Sequence, residues 1–384
     1  RKSRDLYLAA AMVCLGVASK ENTFITYFIF GTFLFGLFVW QWLREGRPNV
    51  SELPVFDLLI VIGTLILPLA SAFPIKLLGG NPVDYSQQAI YFSGAVFLGM
   101  LALSIAIGLW WDWKRWLICA GIFYAIFIPL FTIMFTNGQG FATGMVGSLG
   151  YWLSQHGVKR GDQPWFYYLV LIPIYEFLPL TLGISGAIAY LVSRLRAFKQ
   201  GVPVTVTGVV PSGLKGETIE DGGVLERPQG SVPIVPFLFY WFIMALIIYS
   251  WAGEKMPWLT MHIVIPLQLL AGWTLGRLLE TKWETIRSKG GVLLLPIIPM
   301  LIWTLSRVVG KLPTRDTSIE GLSATMGWLG AVIVAGVLAV PAVRIVRRLG
   351  EGAAWRMISL SLVVVMMGLT LRAAWMATFI NDNY

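Results

Sequence analysis

Apolar residues occur in long runs separated by short polar or charged breaks along most of the chain. A helix needs about 20 predominantly apolar residues to cross a hydrocarbon layer of about 30 Å. The pattern predicts eleven spans, at 6–18, 24–43, 54–78, 88–111, 116–135, 166–192, 233–252, 259–279, 291–309, 324–343 and 355–378. The first run is short for a crossing. We predict an all-α polytopic membrane protein with about eleven transmembrane helices.

The composition agrees with this fold class. Of the 384 residues, 57% are hydrophobic and 13% are charged, against about 25% charged residues in soluble domains. A water-soluble globular protein is thereby excluded. The chain also has 17 Trp and 13 Tyr, residues that favour the two membrane interfaces. We attribute the net charge of +9 to interaction with anionic membrane lipids, and we expect no nucleic-acid partner.

The distribution of Lys and Arg predicts the orientation, because basic residues are retained on the cytoplasmic side of a membrane. When the breaks are assigned alternately to two sides, 20 of the 29 basic residues fall on one side. That side is predicted to be cytoplasmic. The amino end is then inside and the carboxyl end outside, in a multi-pass protein expected in the plasma membrane.

Two membrane portions joined by a cytoplasmic linker are predicted. The first portion is 1–193, and its long outer loop at 136–165 has apolar residues at near-helical spacing, which predict an amphipathic interfacial helix. The linker, 194–232, is rich in Gly, Pro, Val and charge, and the second portion is 233–384. Because the chain starts at Arg1 and stops directly after an apolar run, we expect it to be a fragment of a longer protein.

Charged motifs gather on the predicted outer face. They occur at 19–22 after the first span, at 150–165 before the sixth, and at 253–258 between the seventh and eighth. Lys provides a compact cation suited to phosphate, although each charged turn is equally consistent with side chains that extend to water. The candidates for substrate or phosphate binding are Lys20, Glu21, His156, Lys159, Arg160, Glu254, Lys255 and His262.

Glu176 lies inside the sixth span, between Pro173 and Pro179. A carboxylate at that depth costs about 2.5 to 3.5 kcal/mol on insertion scales and is a functional candidate by default. A neutral, hydrogen-bonded carboxyl is the alternative. Both cysteines lie in apolar runs, and neither a disulfide framework nor a metal-ligand cluster is visible, so no cofactor is identified and a divalent cation is left open.

Three of these strings resemble those of a known family. They are Ser-Lys-Glu at the end of an early helix, the stretch 151–165 leading into Tyr-Glu-Phe-Leu-Pro, and Gly-Glu-Lys-Met-Pro-Trp-Leu followed by a His. They resemble the flippase-activity-associated membrane proteins of archaeal-type protein glycosylation. That family is similar to the polyprenyl-phosphate-sugar-dependent glycosyltransferases of the GT-C superfamily, which include the protein mannosyltransferases of glycosyltransferase family 39 and the lipid A aminoarabinose transferase.

The resemblance implies a GT-C-like bundle that takes a hexose or pentose from a polyprenyl-phosphate donor and transfers it to a protein or glycan acceptor on the outer face. It implies that Lys20, Lys255 and either His262 or Arg160 face the lipid phosphate or the acceptor. GT-C enzymes use an acidic base in the first outer loop, commonly within a pair of acidic residues. No equivalent pair occurs in a predicted outer break of this chain, so the base is expected upstream of Arg1, with Glu21, Glu254 or Glu176 as the alternative within the chain.

Two other function classes compete with the transferase. A flippase or transporter of lipid-linked sugars would line its path with Glu176 and broken helices, but we find no inverted repeat and the charges gather on one face. A structural or flippase-associated membrane subunit without chemistry is the third hypothesis.

Overall fold

The computed structural model describes residues 3–44, 46, 49–50, 53–155, 163–199, 233–281, 283–310, 312–313 and 318–380. Within these ranges the chain forms helices and no β-strand, which confirms the all-α prediction there. Two compact units are present: Arg1–Leu171 with Ala189–Pro266, and Ile172–Ile188 with Leu267–Tyr384. The predicted linker lies mostly outside the described residues, so the division at 194–232 stays a prediction.

The helices follow the apolar runs closely. They are α1 (Ser3–Ser19), α2 (Thr23–Arg44), α3 (Pro54–Ile66), α4 (Ala72–Leu77), α5 (Gln87–Phe131), α6 (Gln139–Ala142), α7 (Ser148–Gln155), α8 (Tyr167–Tyr175), α9 (Phe177–Lys199), α10 (Ile234–Trp251), α11 (Thr260–Leu279), α12 (Trp283–Ser288), α13 (Leu294–Gly310), α14 (Ile319–Leu349) and α15 (Glu351–Phe379). A π-helical turn, Thr143–Gly147, joins α6 to α7, so 139–155 is helical as predicted, while its place in the outer membrane interface stays a prediction.

Eight helices in the described part of the chain are long and apolar enough to cross a membrane, or nine if α3 and the following Leu69–Leu77 form one span bent by 61°. This fits a polytopic helical membrane protein. The predicted count of about eleven is not confirmed. The difference arises because α1 has only 17 residues and because two predicted spans fall within the single element α5.

Helix α5 reverses direction at Asp112, which has extended backbone angles (φ −162°, ψ 98°). Gly108 lies against the indole of Trp116, although eight residues of straight helix would separate them by about 12 Å. Both arms also bond to Thr64 of α3. Ser104 donates its hydroxyl to the Thr64 carbonyl oxygen at 2.6 Å, and Trp116 Nε1 donates to Thr64 Oγ1 at 3.0 Å. The predicted runs 88–111 and 116–135 correspond to these two arms.

A buried carboxylate in α3 forms contacts that stabilise the change of direction at Asp112. Asp57 is 3% exposed and accepts a hydrogen bond from Trp111 Nε1 at 3.0 Å. Arg115 lies 3.9 Å from the Asp57 carboxylate and 3.2 Å from that of Asp112. Since Trp111 and Arg115 flank Asp112, the turn is held from both sides.

The apolar cores of the two units are separate clusters. In the first unit, residues such as Val13, Leu65 and Phe123 bring α1, α3 and α5 together. In the second, Leu294 and Met357 pack α13 against α15, and Ser361 donates a 3.0 Å hydrogen bond to the Leu294 carbonyl oxygen. The helices of the first unit position the candidate site.

Candidate functional site

A pocket of about 180 Å³, which we call the Lys20 pocket, lies within the first unit. Three chain segments that are far apart in sequence form it: the α1–α2 turn, helix α7, and the α10–α11 connection. The lining residues are Lys20, Glu21, Asn22, Tyr151, Trp152, Tyr249, Ala252, Gly253, Glu254, Trp258 and Leu259. Each charged motif of the predicted outer face contributes to one of these segments. The motifs at 19–22 and 253–258 lie in the two connections, and the beginning of the motif at 150–165 lies in α7.

The first wall is a tight turn between α1 and α2. Backbone hydrogen bonds from Thr23 to Lys20 (3.1 Å) and from Phe24 to Glu21 (3.2 Å) start α2 directly after the turn. The helices approach closely because Gly16 has no side chain: a Cβ there would collide with the Tyr27 hydroxyl, which donates to the Val13 carbonyl oxygen at 2.7 Å. The turn is therefore held at its base by two helices in contact.

The second wall is the connection between α10 and α11. The buried Tyr168 of α8 fixes it, because its hydroxyl accepts from Met256 N and donates to Met256 O, both at 3.2 Å. Lys255 is 9% exposed and donates from Nζ to the Ala252 carbonyl oxygen at 2.9 Å. Pro257 then opens the 3₁₀ turn that leads into α11, as expected for a residue with a fixed φ at a helix start.

The third wall is helix α7, which presents Tyr151 and Trp152 to the pocket. Its other side is buried, with Leu149 and Leu153 packed against Ala72 of α4. Lys76 of α4 donates from Nζ to the Leu153 carbonyl oxygen at 2.8 Å. A cation at this position satisfies a carbonyl of the last helical turn and complements the helix dipole.

Charged and polar groups surround the opening. Lys20 and Glu21 are exposed, and neither forms an ion pair with any residue that the structure describes. Glu254 is half-buried and within electrostatic range of Tyr168. The pocket therefore combines an available cation with two carboxylates.

Tyr249 supplies an unsatisfied donor to this pocket. Its side chain is 2% exposed, and among the described residues its hydroxyl has no hydrogen-bond partner. In the first turn of α11, the hydroxyl of Thr260 is also buried without a partner among the described residues. A buried hydroxyl without a partner costs about 1 to 3 kcal/mol, and such groups in native proteins call for an explanation such as a ligand or water.

The predicted candidates divide into three groups. Lys20, Glu21 and Glu254 line the pocket. Lys255 and His262 adjoin it without lining it, and His262 is half-buried, stacked on Tyr249 and within electrostatic range of Lys20. His156, Lys159 and Arg160 lie outside the described residues.

Glu176 belongs to the second unit and separates α8 from α9. Its N–H donates to the Ile172 carbonyl oxygen at 2.8 Å, and its own carbonyl oxygen accepts from Leu180 N at 3.0 Å. Helical hydrogen bonding thus continues through this position, despite the prolines at 173 and 179. The half-buried carboxyl forms no ion pair within the described part of the chain.

Sequence reasoning did not nominate Tyr249, Asn22 or Tyr168. Tyr249 and Tyr168 lie in apolar runs where an aromatic residue is ordinary, and their roles depend on contacts with distant segments. Asn22 lies inside the charged motif at 19–22 and Tyr249 precedes Glu254 by five positions, so a position in or near a charged motif was the local signal for these two residues.

Nothing in the described residues groups three or more His, Cys, Asp or Glu side chains as a metal site. No protein-family model, curated protein or solved structure matches the chain.

Proposed function

We propose that this chain is part of an integral-membrane glycosyltransferase and that the Lys20 pocket binds the sugar-phosphate end of a polyprenyl-phosphate donor. The observation that carries the proposal is the convergence of Lys20, two carboxylates and four aromatic side chains on one pocket in a helical membrane protein. The resemblance of the same three segments to the GT-C-related family supports it.

Lys20 is the candidate phosphate ligand. An exposed ammonium group without an ion-pair partner among the described residues is available to an incoming anion. Sugar transfer from a phosphate donor breaks the bond between C1 and the phosphate oxygen, and negative charge grows on the leaving phosphate. A fixed cation beside that oxygen stabilises the transition state more than the ground state.

The remaining lining residues suit a sugar. Tyr151, Trp152 and Trp258 provide aromatic rings with apolar faces and polar tips. The carboxylates of Glu21 and Glu254 accept hydrogen bonds from hydroxyls, and Tyr249 offers a hydroxyl that a ligand oxygen can satisfy. We assign these groups to recognition of the donor. Acceptor deprotonation requires a base within hydrogen-bond reach of the acceptor hydroxyl, and this role is not assigned.

Lys255 is proposed as a positioning residue. Its ammonium group is bonded to the Ala252 carbonyl oxygen and closes the turn that carries Gly253 and Glu254. Its positive charge remains close to the pocket wall. The resemblance implies that Lys255 faces the phosphate or the acceptor, whereas we propose that the contact with phosphate falls to Lys20.

The test uses the protein in vesicles with a radiolabelled polyprenyl-phosphate sugar, comparing wild type with Lys20→Gln. Lys114→Gln is the matched control, because Lys114 is an exposed lysine that does not line the pocket. We expect Lys20→Gln to lower donor binding and sugar release at least tenfold and Lys114→Gln to leave both unchanged. Equal binding in all three proteins would overturn the site assignment. Movement of labelled lipid across the bilayer without sugar release would replace the transferase with the flippase.

A further inference from the structure

Helix α14 carries a stripe that is aliphatic at one end and cationic at the other. The stripe lines an open groove of about 600 Å³, formed by Ala339, Val340, Val343, Arg344, Arg347 and Arg348. They form two rows in which successive members are four residues apart, Ala339, Val343 and Arg347 in one and Val340, Arg344 and Arg348 in the other, so they lie on one face of the helix. We call this surface the α14 groove.

The arginines leave the α14 groove with uncompensated charge. All three are exposed and form no ion pair with a residue that the structure describes. Arg344 stands three and four positions from the other two, a spacing at which like charges destabilise a helix. The carboxyl-terminal dipole of α14 offers roughly half a negative charge, against three positive ones. The cluster therefore attracts an anion.

The aliphatic end favours a lipid over a soluble anion. Val340 and Val343 are 60% and 50% exposed, and α14 is one of the helices suited to cross a membrane. From Ala339 to Arg348 the helix rises about 13 Å. A phospholipid matches this arrangement, because its acyl chains lie in the hydrocarbon layer, like the aliphatic end of the groove, and its phosphate lies at the boundary of that layer, like the cationic end. A soluble phosphate ester would use the arginines and leave the valines uncovered.

We infer that the α14 groove binds an anionic phospholipid, with its phosphate among Arg344, Arg347 and Arg348 and an acyl chain along Val340 and Val343. Guanidinium groups suit this role because their planar donors pair with phosphate oxygens in bidentate geometry. Basic clusters next to a membrane span recognise anionic headgroups on the same grounds. The inference is independent of the glycosyltransferase proposal, because it concerns the second unit alone.

The experiment measures the thermal unfolding midpoint of the purified protein in detergent after adding phosphatidylglycerol, phosphatidylcholine or glycerol 3-phosphate. The test variant replaces Arg344, Arg347 and Arg348 with Gln. The charge-matched control replaces three exposed basic residues elsewhere, Lys114, Arg287 and Lys289, with Gln. We expect phosphatidylglycerol to raise the midpoint of wild type and control, and the arginine variant to lose at least half of that rise.

A second variant keeps the charge and changes only the aliphatic end, Val340→Ser with Val343→Ser. It is expected to retain less phosphatidylglycerol than wild type in native mass spectrometry, and this readout holds even if the arginine variant fails to fold. An equal rise in the arginine variant and the control would overturn the inference. So would an equal rise with glycerol 3-phosphate, which would indicate a soluble anion site.

Discussion

The phenol ring of Tyr249 stacks on the imidazole of His262, with ring centroids 5.8 Å apart and ring planes 13° apart. Tyr249 lies near the end of α10 and His262 in the first turn of α11. The stack therefore joins the two ends of the connection that carries Glu254 and Lys255. It also fixes the ring whose hydroxyl has no partner among the described residues.

Replacing Tyr249 with Phe should separate binding from stability. The ring and its stack on His262 are retained, and no hydrogen bond within the described residues is lost. Removing a buried, unpartnered hydroxyl relieves a desolvation cost of about 1 to 3 kcal/mol. We expect an unchanged or higher thermal midpoint together with donor binding weakened about fivefold or more, measured on the same preparation.

Tyr168→Phe is the matched control, because this tyrosine has both of its hydrogen bonds to Met256. Its loss should destabilise the protein by about 1 to 3 kcal/mol, since the Met256 backbone groups lose their partner. If the two variants lowered the midpoint equally, the Tyr249 hydroxyl would have a structural partner and the prediction would fail.

Lys20 and Lys255 should respond differently to the same substitution. Lys20 is exposed, whereas Lys255 is buried and bonded to the Ala252 carbonyl oxygen. We expect Lys20→Gln to weaken donor binding without lowering the thermal midpoint. Lys255→Gln should lower both, because it loosens the turn beside Glu254. Denaturation curves and binding isotherms for each variant decide the point, and identical profiles would show that the two lysines share one role.

The sequence was sufficient for the fold class and for part of the site. Apolar runs predict helices well because each span needs the same length and composition, and the charged motifs were found because charge is rare in such a chain. The predicted number of spans was not confirmed. Whether 88–135 forms one helix or two depends on the backbone of Asp112 and on Asp57, which is distant in sequence.

The rest of the site depended on tertiary contacts that local patterns do not encode. Lys20 and Lys255 stand in similar Glu-Lys or Lys-Glu motifs, yet one faces the pocket and the other is buried. Lys255 differs because its ammonium group donates to the Ala252 carbonyl oxygen inside its own turn. Tyr249 is a candidate because its hydroxyl is buried without a partner among the described residues, a property that no sequence pattern reports.

Asp57 should be important for stability although it is far from any predicted motif. Asp57→Ala removes the acceptor of Trp111 Nε1 and the carboxylate beside Arg115. Loss of such a buried group typically costs about 1 to 3 kcal/mol, so we expect a clear fall in the thermal midpoint.

Asp5→Ala is the control: its pair with Arg4 is exposed, and surface pairs contribute about 0 to 1 kcal/mol. A midpoint for Asp57→Ala no lower than that of the control would show that the reversal at Asp112 does not depend on this carboxylate.

Gly16 should be the most sensitive glycine near the Lys20 pocket. Gly16→Ala places a methyl group against the Tyr27 hydroxyl and close to the Thr23 side chain, so these side chains, or the start of α2 that carries them, must shift. Overpacking of this kind costs about 1 to 3 kcal/mol, and it displaces the turn that carries Lys20. We expect a lower thermal midpoint and weaker donor binding.

Gly31→Ala in α2 is the matched control, because a Cβ there meets open space and alanine favours a helix by up to about 1 kcal/mol. If both variants bound donor like wild type, the Lys20 turn would not depend on the close approach of α1 and α2.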